Sequence, residues 1–245
     1  MKLPMISCLM VTKRLDNKLT FQAIDSFLSQ DYSNKELIVV YSHSTENNVN
    51  HFIDYSYSSG FRPVMYKIKE ITKLGEARNI SIDLSEGEYV CQWDDDDISH
   101  RNRLTFQYEN MKNYDVSLLA AQYHQVDGKI HVEQRPINSE AVHSAWPGTV
   151  MGKKRCLFNI YPKWDSIGED TKGLQRLDNI KVIRYNSPFF HYLYRFNGNN
   201  TWDKQHNEMM IHENTYCDMN ESIKSWIKEG FRGKHVLKNN IHSSL

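Results

Sequence analysis

An unbroken apolar run, Leu37-Ile38-Val39-Val40-Tyr41, leaves this chain few architectures. A strand with one wet face alternates apolar and polar residues, whereas a strand apolar throughout must be covered on both faces. Such strands belong to parallel sheets sandwiched between helices. The flanking sequence agrees. Residues 5–11 and 89–93 read as two further buried strands, and residues 62–68 alternate weakly as a third. Between them, Leu19, Ala23, Ile24, Phe27 and Leu28 recur at helical spacing, as do Leu74, Ala77, Ser81 and Leu84. A polar stretch, residues 42–50, follows the run itself. This βαβαβ order predicts an α/β fold with a Rossmann-like, mostly parallel central sheet flanked by helices. Ligands of such sheets bind beyond the carboxyl ends of the strands.

At one of those ends lies Asp94-Asp95-Asp96-Asp97, directly behind Tyr89-Val90-Cys91-Gln92-Trp93. At about 4 Å a like-charge pair costs on the order of 1 kcal/mol even in water, and more in a dry site. A divalent metal held by oxygen ligands would relieve that repulsion. In extended chain, Asp94 and Asp96 share one face and Asp95 and Asp97 the other, which makes an Asp-x-Asp grip. The plain structural alternative is a solvated acidic turn, with Asp97 or Ser99 capping a helix that starts near Arg101.

The second half is less regular. Residues 116–124 read as a strand, Asp127-Gly128 as a turn, and residues 129–133 as the returning strand. Residues 136–148 form a loop carrying His143 and Trp146, with a strand expected at 148–151. A helix is expected at 169–177 and strands at 180–184 and 189–195. Helices are also expected from Thr201 and at 222–228. No internal repeat or flexible linker interrupts the chain.

With 245 residues, the chain is long enough for one substantial core. Lys+Arg and Asp+Glu balance at 30 each, so no overall field draws it to nucleic acid. The four cysteines form no CxxC pair and no zinc spacing. Cys8 and Cys91 sit in apolar strands as buried thiols, which suits a reducing, cytoplasmic compartment. Residues 1–4 lead straight into a strand, so no signal peptide is expected. No apolar run approaches the roughly 20 residues of a membrane-spanning helix. Peripheral contact with the inner face of a membrane is compatible with this.

The ordered motifs resemble family 2 glycosyltransferases. Pro4-Met5-Ile6-Ser7-Cys8-Leu9-Met10-Val11-Thr12, Ala23 to Gln30, and Lys35-Glu36-Leu37-Ile38-Val39-Val40 look like that family's opening. Leu74-Gly75-Glu76-Ala77-Arg78-Asn79, then Gly87 through the aspartates, Gly168-Glu169-Asp170, and Asn200-Thr201-Trp202 with His206 continue it. The resemblance runs from Pro4 to His206. It implies a GT-A fold within residues 1–215, with a nucleotide-sugar-binding half at 1–98 and a smaller mixed acceptor half at 99–215. A helical tail would follow at 216–245.

By the same resemblance, the donor is a nucleotide-diphosphate sugar, with UDP the first expectation, and the cofactor is Mn²⁺ or Mg²⁺. Asp94 would meet the ribose and the metal, Asp96 would bind the metal directly, and His206 would be a further ligand. Thr12 and Arg78 would line the nucleobase pocket. Arg195 and Asn200 would touch the diphosphate or the closing loop. Asp170 would be the general base that takes the acceptor hydroxyl's proton in an inverting displacement, with Glu169 supporting it. Where the family commonly reads the base with Asp-Asp-Gly-Ser, this chain has Tyr41-Ser42-His43-Ser44, so Ser42 or His43 would take that role. The acceptor would be a saccharide, a lipid-linked molecule or another hydroxyl compound, in surface polysaccharide or glycolipid synthesis. The other reading is a non-catalytic module of the same fold that holds a nucleotide sugar or a metal.

Overall fold

A computed structural model describes residues 2–70, 72–126, 129–134, 145–164, 167–183, 191–196 and 198. The helices expected from Thr201 and at 222–228, together with His143, Asn200, His206 and Cys217, lie outside the described residues.

The fold is the expected α/β one. Strands β1 (Ile6–Thr12), β2 (Lys35–Tyr41), β3 (Val64–Lys67) and β4 (Tyr89–Gln92) pair in parallel, in the spatial order β4-β1-β2-β3. The sheet continues past β4 through β9 (Met151–Lys153), β6 (Val116–Leu119) and β10 (Ile180–Ile183). Of these, β9 runs antiparallel to both its neighbours, which makes a seven-stranded, mostly parallel sheet.

Alternation within the buried strands divides the core in two. Ile6, Cys8 and Met10 of β1 and Leu37 and Val39 of β2 face helices α1 (Lys18–Leu28), α2 (Glu46–Ser58) and α4 (Arg103–Met111). Leu9, Ile38 and Val40 face α3 (Leu74–Leu84), α5 (Lys154–Leu157) and α6 (Glu169–Leu174) on the opposite side. Burying one such aliphatic side chain contributes about 1.5–3 kcal/mol.

Five expectations change. The β2–β3 connection holds helix α2, of which the sequence showed only a polar stretch. Its buried residues are Phe52 and Ser56 alone, so its apolar stripe is narrow. The single strand expected at 116–124 is two strands. The chain leaves the first sheet at Ala120 and enters a second, where β7 (Ala121–Val126) lies between β8 (Lys129–Gln134) and β11 (Tyr192–Arg195), with β5 (Ile98–Ser99) at the edge. Residues 147–149 form a 3-10 turn, so the strand expected at 148–151 begins only at Met151. Finally, α6 ends at Leu174, and α4 starts after Asn102 with no side-chain cap from Asp97 or Ser99.

Both predicted buried thiols are fully buried, side by side in register on β1 and β4. Among the described residues, no helix is long and apolar enough to cross a membrane.

Candidate functional site

The four aspartates follow β4 at the carboxyl edge of the parallel sheet. Trp93 fixes their starting point. Its indole N–H donates to the Ala23 carbonyl at 3.0 Å, and its ring meets Phe27 edge-on. Beyond Trp93 the chain turns instead of staying extended, and this overturns the expected alternation of side chains. Asp95 and Asp96 share one partner, Arg14, and Asp94 and Asp97 share another, Tyr192. Strand alternation requires extended backbone, and β4 ends at Gln92.

Arginines meet most of the negative charge. Arg14 lies two residues past β1. Its Nε reaches Asp95 Oδ2 at 3.2 Å, and its Nη2 reaches Asp95 Oδ1 at 2.7 Å and Asp96 Oδ2 at 2.9 Å. Burial works against this guanidinium's charge, but the two carboxylates outweigh it and raise its pKa. Arg195 of β11 donates its backbone N–H to Asp97 at 2.8 Å and its Nε to the Asp96 carbonyl. Arg103 of α4 is fully buried beneath the turn, between the rings of Trp93 and Tyr192. It holds the carbonyls of Gln92 at 3.2 Å and Gly148 at 3.4 Å.

Thr12, at the end of β1, donates its hydroxyl to Asp95 Oδ2 at 2.5 Å and accepts the Arg14 backbone N–H at 2.9 Å. Asp97 is buried beside Asp96 and Asp94, and these causes raise its pKa well above the carboxylate range. The Tyr192 hydroxyl donates to it and lies 3.0 Å from Asp94 Oδ2. Asp95 and Asp97 therefore hold the turn in place, and Asp94 is the more exposed carboxylate.

Arg78 joins this cluster to α6. Asn79, its neighbour on α3, exchanges hydrogen bonds with the backbone of Tyr161, and the Arg78 guanidinium lies over the Tyr161 ring. So aimed, Nη1 reaches Glu169 Oε1 at 2.9 Å and Asp170 Oδ2 at 3.7 Å, while Nη2 reaches Asp94 Oδ1 at 3.7 Å. Burial opposes the charge here too, and Asp94, Glu169 and Asp170 together raise the pKa. Glu169 is buried, which raises its own pKa against the pull of Arg78. Asp170 keeps a side chain 27% exposed, open enough to meet a ligand. Gly168 turns the chain into α6 at φ +68°, a conformation glycine adopts without strain.

Gly148 borders Asp94. A Cβ there would lie 2.8 Å from Tyr192 Oη and 2.9 Å from Asp94 Oδ2, so the missing side chain keeps space beside the carboxylate. At the end of β2, Ser42 Oγ lies 3.0 Å from His43 Nδ1, and His43 Nε2 lies 3.3 Å from Glu70. Those two residues stand where the nucleobase reader was expected.

Of the expected site residues, Thr12, Arg78, Asp94, Asp96, Glu169, Asp170 and Arg195 all gather at this edge. Sequence reasoning missed Arg14, Arg103, Tyr192 and Gly148. No local motif marks them, and Arg14, Tyr192 and Gly148 meet the site only through contacts made across long stretches of chain. Among the described residues, no three His, Cys, Asp or Glu side chains form a metal-holding group. Carboxylate oxygens nonetheless suit Mg²⁺ or Mn²⁺, and Mg²⁺ is customarily held by one or two carboxylates plus substrate phosphates. Asp94, with space kept beside it, offers one such carboxylate, whereas Asp96 is engaged by Arg14.

Known proteins resemble this chain in sequence and in fold. In solved structures of Staphylococcus aureus TarS residues 1–349, the similarity covers 85% of this chain and 70% of that one. The complex with UDP gives a TM-score of 0.63 at 18% identity, and the complex with UDP-GlcNAc gives 0.60 at 16%. The backbone architecture is thus that of a GT-A glycosyltransferase. An uncharacterized glycosyltransferase of Rickettsia bellii is 30% identical over 108 residues, which are 44% of this chain and 15% of that protein. One from Methanocaldococcus jannaschii is 26% identical over 136 residues, 54% of this chain and 47% of that protein. The chain therefore spans less than half the length of these curated relatives. The glycosyl transferase family 2 model matches residues 17–180, which include the acidic turn and both carboxylates of α6, and the chain belongs to that family.

Proposed function

We propose that the protein transfers one sugar from a nucleotide-diphosphate donor, with UDP the nucleotide to test first, to a hydroxyl acceptor with inversion at the anomeric carbon. One observation carries this reading. A single buried guanidinium, Arg78, lies 3.7 Å from both Asp94 and Asp170. The carboxylate expected to meet the donor and the carboxylate expected to accept a proton thus lie within one side chain's reach of each other, as a single displacement needs. The UDP and UDP-GlcNAc complexes of TarS support a nucleotide-sugar donor.

In this mechanism, Asp170 Oδ takes the proton of the acceptor hydroxyl as that oxygen bonds to the anomeric carbon. The bond from the anomeric carbon to the diphosphate oxygen breaks on the opposite face, and the nucleoside diphosphate leaves with that electron pair. A divalent cation, when bound at Asp94 and Asp96, neutralises charge on the departing diphosphate. Arg78 holds Glu169 so that α6 presents Asp170 without a neighbouring free negative charge. Ser42 or His43 would hydrogen-bond the base. We assign residues 1–98 chiefly to the donor and 99–215 to the acceptor. Synthesis of a surface polysaccharide or glycolipid is the proposed setting.

The test is release of nucleoside diphosphate from a panel of nucleotide sugars with Mn²⁺. Replacing Asp170 with Asn should lower kcat by about 10²–10⁴ while leaving donor affinity near the parent's, since a positioned base contributes that much. If the donor binds but neither protein turns it over with any acceptor pool, the chain is a non-catalytic nucleotide-sugar module.

A further inference from the structure

Tyr161 takes no step in the mechanism above, yet it stands beside the groups that do. Its backbone is fixed by one side chain. The Asn79 amide donates to its carbonyl at 2.8 Å and accepts its N–H at 3.2 Å. Helix α6 packs close against it. A Cβ on Gly173 would lie 3.2 Å from Tyr161 Cδ1 and 3.1 Å from the Ile160 carbonyl oxygen. The Arg78 guanidinium sits over the ring, 5.5 Å from its centroid. That guanidinium is also 3.7 Å from Asp94 and from Asp170, so the phenol shares a neighbour with both carboxylates.

The hydroxyl is the unexplained part. Only 4% of the residue is exposed, and a buried tyrosine hydroxyl ordinarily finds a partner. Among the described residues this one has none. Unlike Arg78 Nε, it is not sealed from solvent. Burial raises its pKa, and Asp170, Asp94 and Glu169 act in the same direction against Arg78, so the O–H keeps its proton near neutral pH. It offers one donor and acceptor lone pairs, the complement of a sugar hydroxyl.

We propose that the Tyr161 hydroxyl hydrogen-bonds a hydroxyl of the transferred sugar and so helps select which sugar the protein accepts. The inference rests on the sugar-transfer reading of the site. In a single displacement the transferred sugar lies between the base and the departing diphosphate, which makes it the part of the substrate that passes Arg78 and its aromatic neighbour. A site that bonds a substrate hydroxyl discriminates against an analogue lacking it, because the protein's own polar group is then left unpaired.

The experiment compares kcat/KM for nucleoside diphosphate release by the full chain and its Tyr161→Phe variant, with Mn²⁺. The donors are UDP-, GDP-, ADP- and dTDP-hexoses, then the deoxy analogues of the one used fastest. Phenylalanine keeps the ring beneath Arg78 and removes only the hydroxyl. Tyr161→Phe should lose about three- to tenfold in kcat/KM with that donor, the worth of one neutral hydrogen bond. With the analogue that lacks the bonded hydroxyl, parent and variant should be equal, because the interaction is already gone. Equal kcat/KM with the full donor, or the same loss with every analogue, overturns the role of Tyr161 and leaves sugar transfer standing. Because no described residue meets the hydroxyl, the variant should melt with the parent. Misfolding, or melting several degrees lower, shows that the hydroxyl serves the fold and overturns the proposal. No release by the parent from any donor, with any acceptor pool, overturns sugar transfer and this inference together.

Discussion

Gly148 shows how one absent side chain shapes the site. A methyl group there would meet the ends of two side chains below 3.0 Å, and they do not yield equally. Tyr192 is wedged against the Arg103 guanidinium and bonded to buried Asp97, whereas Asp94 is the more exposed and moves first. Gly148→Ala should therefore cost only about 1 kcal/mol of stability, the low end for overpacking. It should lower kcat/KM on the order of 10²-fold, because displacing a reacting geometry by about an ångström has that effect. Thermal melting and steady-state kinetics on one preparation separate the two. At this scale the carboxylates were legible in sequence, since a run of aspartates behind an apolar strand is visible without a structure. Their partners were not. Arg14 and Tyr192 stand 80 to 100 residues from the aspartates they hold, as the spacings of 81 and 98 residues show.

Elements were legible in proportion to their burial. Strands β1, β2 and β4 are apolar on both faces and could hardly be anything else. Helix α2 escaped notice because it covers the sheet with few apolar residues. The junction of β6 and β7 escaped because residues 116–124 have strand composition throughout, and a change of sheet leaves no trace in composition. At the entry to β11, His191 stacks on Phe106 of α4 at 3.9 Å between ring centroids. Burial, then His100 and Arg103, pushes its imidazole down to about 3. The unfolded chain takes up this proton near pH 6.5, before the folded one does. The contribution of His191 is thus complete above about pH 6.5 and is lost as pH falls toward 3, amounting to about 3 kcal/mol by pH 4. His191→Phe should flatten the acid limb of a stability–pH curve measured by urea unfolding between pH 4 and 7. An unchanged slope would show that His191 takes up its proton alike in both states.

For the whole molecule, any ligand that binds the native state is linked to the fold by mass action. A ligand at 100 times its dissociation constant stabilises the native state by about 2.7 kcal/mol. The cognate nucleotide sugar with Mn²⁺ should therefore raise the melting temperature by several degrees, and Asp94→Asn should abolish most of that rise. A panel of nucleotide sugars read by thermal shift would identify the donor. The rise should be smaller without Mn²⁺, since the diphosphate would then meet Asp94 and Asp96 uncompensated.

Sequence alone determined the parallel sheet and the carboxylates at its carboxyl edge, because burial on two faces and clustered charge are properties of neighbouring residues. Only the tertiary structure decided how that charge is met. Guanidinium groups from β1's end, α3, α4 and β11 converge on one turn, and this convergence arises from packing remote segments around a common core. It explains why the acidic turn is stable in the protein by itself.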